Sequence, residues 1–293
     1  MKNSRRKFIQ TSVLGAAALG TGIPKLSAKT TPAEKKKYPP LKLGLMTYTL
    51  GKEWDIETII KNCSETGWVH AELRTTHKHG VEVSLSKKER ADVKKRFEDS
   101  PMEAISLASA FQYHYEDPAE LKKNIEGTKE YLQLAADVGA LGIRVFPNAF
   151  IEGVDREKTM EQIGKALGEV GDFGHNLGVD VRVCVHGKGT DEIPVIKQIL
   201  DYSNSEHVYV NWNCSDNDVK GPGLKANFDS IKDKIKGIHM HELTSEYPYR
   251  EFLKLLRESG YNGYCNAEID ASCEPVRLMQ YYRTLFMAFQ DEV

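Results

Sequence analysis

Residues 117–148, DPAELKKNIEGTKEYLQLAADVGALGIRVFPN, form one helix followed by one strand when read for capping and periodicity. Asp117 is a capping side chain, and Pro118 suits the first helical position, where a missing N–H costs nothing. The helical pattern runs to Val138, and Gly139 supplies the left-handed residue on which helices end. Gly142–Phe146 is then a short apolar run interrupted only by Arg144, and Pro147-Asn148 stops it.

Working outward from this unit, the same alternation recurs in both directions. Apolar runs stand at Leu41–Tyr48, Trp68–Leu73, Ala104–Ala108, Val179–His186, Val208–Asn213, Ile235–His241 and Tyr264–Ile269. With Gly142–Phe146 they make eight. They are nearly continuous in Val, Ile and Leu, as parallel strands covered on both faces must be. Between them lie stretches of helical character: Lys87–Glu98, opened by the Ser86/Glu89 capping box, then Glu157–Leu177, Asp191–Tyr202 and Tyr249–Ser259. Gly178 and Gly260 close two of these as Gly139 closes the first. Eight strands each followed by helix predict an α/β fold, a single-domain (β/α)8 TIM barrel over residues 41–293. An open doubly wound sheet is the competing topology. It would carry a glycine-rich phosphate turn after the first strand, where Gly51 stands alone.

The N-terminus has a different character. Ser4-Arg5-Arg6-Lys7-Phe8-Ile9-Gln10 resembles a bacterial twin-arginine export motif, and Thr11–Ile23 is a weakly apolar run too short to span a bilayer. Residues 1–28 are therefore expected to be a signal peptide cleaved near Ala28, and 29–40 a Pro- and Lys-rich linker. This predicts use of the twin-arginine translocation machinery, a periplasmic location, and no lipid or membrane anchor, since no Cys precedes Cys63. The whole chain of 293 residues carries a formal charge of −2. Without the five basic residues of the leader, 35 basic side chains face 42 acidic ones, near −7. Nucleic-acid binding needs Lys and Arg against phosphates, so this balance argues against it. Five cysteines, with no C-x-x-C pair, argue against a disulfide framework.

In a barrel of this kind the active site lies where strands end at their C-termini. The polar residues of the chain collect there. The second strand runs into Glu72-Leu73-Arg74 and then His77 and His79. The fourth carries Arg144, the fifth Cys184 and His186, the sixth Trp212, Asn213 and Asp216, the seventh His239 and His241, and the eighth Glu268. One histidine at a strand end is commonly a hydrogen-bonded structural residue. Carboxylates and imidazoles at the same end of several strands are costly to bury unless something binds them.

Glu72-Leu73-Arg74-Thr75-Thr76-His77-Lys78-His79-Gly80-Val81-Glu82, Val185-His186-Gly187, Ile238-His239-Met240-His241 and Ala267-Glu268 together resemble the xylose-isomerase-like barrels, the sugar phosphate isomerase/epimerase superfamily. The resemblance rests on the order of these motifs over Leu41 to the C-terminus. It implies a divalent metal held by a Glu, an Asp, a His and a Glu on the fifth to eighth strands. His239 and Glu268 match the last two. Cys184 stands in the Glu position and Asn213 in the Asp position. Thiolate would favour Zn²⁺ over the Mn²⁺ or Mg²⁺ that a carboxylate set prefers.

The resemblance also implies chemistry: a base takes a proton from a carbon next to a carbonyl and the enediolate is stabilised. Glu72, His77, His79 and His186 are the candidate catalytic residues, with Glu268 as a base if no metal is bound. Arg144, Trp212, Asp216 and His241 are the candidate substrate-binding residues. The expected substrate is a small carbohydrate, and export favours an unphosphorylated sugar or glycoside. Isomerisation or epimerisation is the leading expectation. Elimination of the aglycone from a 3-keto-glycoside is the alternative, and a non-catalytic sugar-binding barrel the second. An abasic-site endonuclease of the same superfamily would need a basic groove that this acidic chain lacks.

Overall fold

The computed structural model describes residues 38–291. The expected signal peptide and all of the linker up to residue 37 lie outside the described residues. Eight strands alternate with eight α-helices: β1 Lys42–Met46, α1 Ile56–Thr66, β2 His70–Arg74, α2 Lys87–Glu98, β3 Ala104–Gln112, α3 Pro118–Val138, β4 Gly142–Phe146 and α4 Arg156–Leu177. Then follow β5 Asp180–Cys184, α5 Ile193–Ser203, β6 Val208–Trp212, α6 Leu224–Ile231, β7 Ile235–Met240, α7 Tyr249–Ser259, β8 Tyr264–Ala267 and α8 Pro275–Ala288. Every neighbouring pair is parallel, and β1 pairs with β8, so the sheet closes as the predicted (β/α)8 barrel.

Local chemistry sets the boundaries. Asp117 accepts from the Ala119 backbone N–H at 2.9 Å, Ser86 and Glu89 form both halves of the capping box, and Gly139, Gly178 and Gly260 all adopt positive φ. Eight of the sixteen expected strand ends lie one or two residues beyond the observed ladder, because the extended sequence pattern continues into the loops. Strand β3 is the opposite case. It continues past Ala108 to Gln112, with a register shift against β4 between those residues.

Outward-facing side chains such as Leu45, Val145, Val183, Val210 and Ile238 are fully buried against the helices, forming one continuous apolar layer. Each such side chain contributes roughly 1.5–3 kcal/mol when buried. All five cysteines are free; four are buried and Cys273 is exposed.

The inside of the barrel is polar. Arg182 Nη2 contacts Asp180 Oδ2 at 3.1 Å near the N-terminal ends of the strands, and its Nη1 donates to Ser106 Oγ at 3.3 Å. Ser106 lies 3.1 Å from His70 Nε2, His70 Nδ1 lies 2.7 Å from Asn266 Oδ1, and Asn266 Nδ2 donates to Glu72 Oε2 at 3.0 Å. Burial lowers the His70 pKa to about 4, so its ring is neutral. One assignment satisfies every link: the Ser106 hydroxyl donates to Nε2, and Nδ1–H donates to Asn266. This plug needs glycine beside it. A Cβ on Gly44 would come within 2.2 Å of Asn266 Oδ1, and one on Gly237 within 2.3 Å of Asn211 Oδ1.

Candidate active site

Above the polar plug, at the C-terminal ends of the strands, a cavity of about 320 Å³ opens to solvent. Arg144, Cys184, His186, Asn213, His239, His241 and Glu268 all line it, so seven of the twelve residues singled out in the sequence meet in one place. Tyr48, Arg74, Gln112 and Phe146 line it too. Gln112 was missed because β3 was read as ending at Ala108. A signal was present in the sequence, since Ser109 to Gln112 extends the strand without a Gly or Pro to stop it. Tyr48 lies just past the end of β1, where a single aromatic carries no distinguishing pattern.

His239 is the centre of the floor. It is 1% exposed, and both ring nitrogens face carboxylates: Nε2 is 3.0 Å from Glu72 Oε1, and Nδ1 is 3.1 Å from Glu268 Oε2. Burial opposes the imidazolium, but Glu72, then Cys184 and Glu268, outweigh it and hold the His239 pKa well above the ordinary histidine value. Burial likewise pushes Glu268 up, and its hydrogen bond and charge contact with His239 more than reverse this, setting its pKa at about 2. Glu72 is lowered for the same reason, with help from Arg144 and Arg182. The three groups form a carboxylate–imidazolium–carboxylate stack.

Glu72 therefore lies under the cavity floor and does not line the cavity. His77 and His79 are also elsewhere. His77 Nδ1 lies 2.7 Å from the Thr47 carbonyl. His79 Nε2 lies 2.7 Å from the Arg74 carbonyl, while its Nδ1 accepts from Val81 N–H at 3.1 Å. Both rings brace the loop after β2. Trp212 points the other way. Alternation along β6 turns Asn211 and Asn213 inward and Trp212 outward, where it is fully buried against Phe228 and Phe252 and donates to Tyr247. Asp216 is exposed at the start of a 3₁₀ turn, Asp216–Val219, outside the cavity. It is Asp218 that is buried there, accepting from Tyr247 and Ser215.

His186 differs from His239 in every respect. It stands at the cavity wall with Phe146 against its ring, centroids 4.8 Å apart, and its ring makes no hydrogen bond among the described residues. Partial burial and then the Arg144 charge lower its pKa, leaving it neutral at pH 7. Arg144 packs on the same Phe146, its guanidinium carbon 4.0 Å from the ring centroid. His241 is fixed by the backbone, with Nε2 2.9 Å from the Asn213 carbonyl.

The four positions that the sequence offered for a metal do gather here. As arranged they do not fit a divalent cation. Both nitrogens of His239 are engaged by carboxylates, Cys184 receives the Asn211 amide at 3.7 Å, and Glu268 is the one cavity carboxylate. Among the described residues no group of three His, Cys, Asp or Glu side chains is placed to hold a metal.

The family model described as a xylose isomerase-like TIM barrel matches residues 60–284. No curated protein matches the chain in sequence. Among solved structures, 3-keto-D-glucoside 4-epimerase YcjR from E. coli, in its apo form, superposes with a TM-score of 0.68 at 12% identity, over 85% of this chain and 99% of that one. The IolI protein with a bound zinc atom gives 0.69 at 14% identity, covering 85% and 96%. The 3-DHS dehydratase AsbF from Bacillus anthracis gives 0.66 at 15%, covering 84% and 98%. At these identities the structural likeness speaks to fold alone. The match over most of the described barrel, with its strand-end cluster of histidines and carboxylates, places the chain in the xylose isomerase-like TIM-barrel family.

Proposed function

We propose that this protein is an enzyme that takes a proton from the carbon next to a carbonyl of a carbohydrate, with His186 as base. The observation that carries this is the pairing, against one phenyl ring, of a free imidazole and a guanidinium in the same cavity. A base that is unprotonated at pH 7 and a fixed positive charge are what enediolate formation requires. Glu268, held at about pKa 2, is too weak a base for a carbon acid; its role is to fix His239 and to accept sugar hydroxyls. Asn213 lines the cavity, its side chain makes no hydrogen bond among the described residues, and it is placed to donate to the enediolate oxygen. Returning a proton to the neighbouring carbon gives isomerisation, and delivering one to the opposite face of the same carbon gives epimerisation. The sugar epimerase among the structural neighbours supports this reading.

Elimination is the second reading. After proton removal the same His186 would protonate a departing oxygen, as a 3-keto-glycoside would need, and a dehydratase stands among the neighbours. The proposal extends to an exported, periplasmic protein, supported by Arg5-Arg6 and the weakly apolar run after them. The test is proton exchange in D₂O, read by mass spectrometry over a panel of keto-sugars and 3-keto-glycosides. His186→Asn is expected to lower exchange by about 10²–10⁴-fold, the usual contribution of a positioned base. Exchange at the parental rate in that variant would sink the assignment.

A further inference from the structure

We propose that the cavity binds a carboxylate of its substrate between Arg74 and Arg144, which makes that substrate a sugar acid rather than a neutral sugar. This rests on the reading of the cavity as the active site and narrows its substrate class.

Arg144 is 3% exposed. Its Nη1 donates to the Ser109 carbonyl at 2.7 Å, and its Nε has no partner. Arg74, half-buried on the end of β2, uses Nη1 on the carbonyl and hydroxyl of Thr75. Both line the cavity, and neither makes an ion pair among the described residues. Other barrel and helix arginines behave differently: Arg182 pairs with Asp180, Arg90 with Asp137 and Arg96 with Glu57. The cavity carboxylate, Glu268, feels the Arg144 charge but makes its ion pair with His239, at 3.1 Å.

Two guanidiniums lining one cavity with no ion-pair partner each lose water and repel, and the nearby carboxylates that feel their charge, Glu72 and Glu268 at Arg144 and Glu82 at Arg74, make no ion pair with them. The strain is visible at Arg74, whose pKa is lowered by burial and then by the Arg144 charge. An anion in the cavity removes both costs. Its shape follows from the lining. A guanidinium presents a planar fork that a carboxylate matches with two parallel hydrogen bonds. Phosphate cradles instead draw on successive backbone N–H groups, commonly at glycines, and no glycine lines this cavity. At about 320 Å³ the space lies at the small end of ligand sites, a monosaccharide's size.

The experiment is titration calorimetry on the full chain with matched pairs: hexuronates and aldonates against the corresponding hexoses and alditols, with hexose 6-phosphates as a third arm. The acid of at least one pair is expected to bind about tenfold or more tightly than its neutral partner. Arg144→Met and Arg74→Gln are each expected to collapse that acid-to-neutral ratio towards one. Arg74→Gln carries the test should the buried variant fail to fold. Neutral sugars binding as well as acids, no acid binding at all, or phosphates outranking carboxylates would each overturn the proposal. D₂O exchange on the same panel separates the two readings. Exchange without acid preference leaves His186 as base and removes the anion subsite, whereas acid binding without exchange does the reverse.

Discussion

Arg144 on β4 and Arg182 on β5 are register partners, both inward-facing and both buried, yet they do opposite things. Arg182 turns towards the N-terminal end of the barrel, meets Asp180, and feeds a chain of hydrogen bonds through Ser106, His70 and Asn266 to Glu72. Arg144 turns towards the other end, makes no ion pair among the described residues and faces a cavity; the Nε of both arginines is without a partner. The lower half of the barrel links Arg182, Ser106, His70, Asn266 and Glu72 in one hydrogen-bonded chain, although Arg182 Nε and Asn211 Oδ1 have no partner. The upper half keeps charge in reserve. A ligand is the natural completion of the second arrangement and has no place in the first.

The largest expected effect tests the junction between the halves. Glu268→Gln keeps shape and removes the charge that fixes His239 Nδ1. Turnover should fall by about 10²-fold or more, with little change in melting temperature, the usual scale for losing one fixed electrostatic contact. A variant with parental turnover would show that the His239 stack has no bearing on the reaction.

A second prediction applies one substitution to both arginines. Arg182→Met should cost about 2 kcal/mol in denaturant unfolding, because Ser106 and Asp180 lose a donor. Arg144→Met should cost less, about 1 kcal/mol or under, since the lost bond to the Ser109 carbonyl is offset by removing a desolvated guanidinium that makes no ion pair. Equal losses at both positions would break the comparison between paired and unpaired halves.

The smallest effect concerns pH. The folded pKa of His70, about 4, lies below its ordinary value of 6.5. Its contribution to stability is therefore complete above pH 6.5 and is lost as pH falls through 4, amounting to about 3 kcal/mol at full protonation. His70→Asn keeps a donor towards Asn266 and cannot titrate. Unfolding curves between pH 7 and pH 4 should show a shallower acid slope in this variant. An unchanged slope would mean that the plug tolerates a charged His70, contrary to its sealed hydrogen bonding.

The same contrast explains what was legible in advance. Chain periodicity and capping determined the barrel: eight apolar runs, helix starts at Ser86 and Asp117, and stops at Gly139, Gly178 and Gly260 all follow from local sterics and hydrogen bonding. The position of the site followed too, because strand ends in a parallel barrel must meet at one rim. Alternation was enough, in principle, to turn Trp212 away from it. What only the tertiary structure decided is which polar groups have partners. His70 and Asn266, which link to Glu72 and His239, are 196 residues apart, and nothing local to any of the four sets its protonation or its neighbour. Whether a histidine is a locked imidazolium like His239 or a free base like His186 depends on side chains contributed by other strands. Those distances are fixed by barrel closure, and no window of sequence contains them.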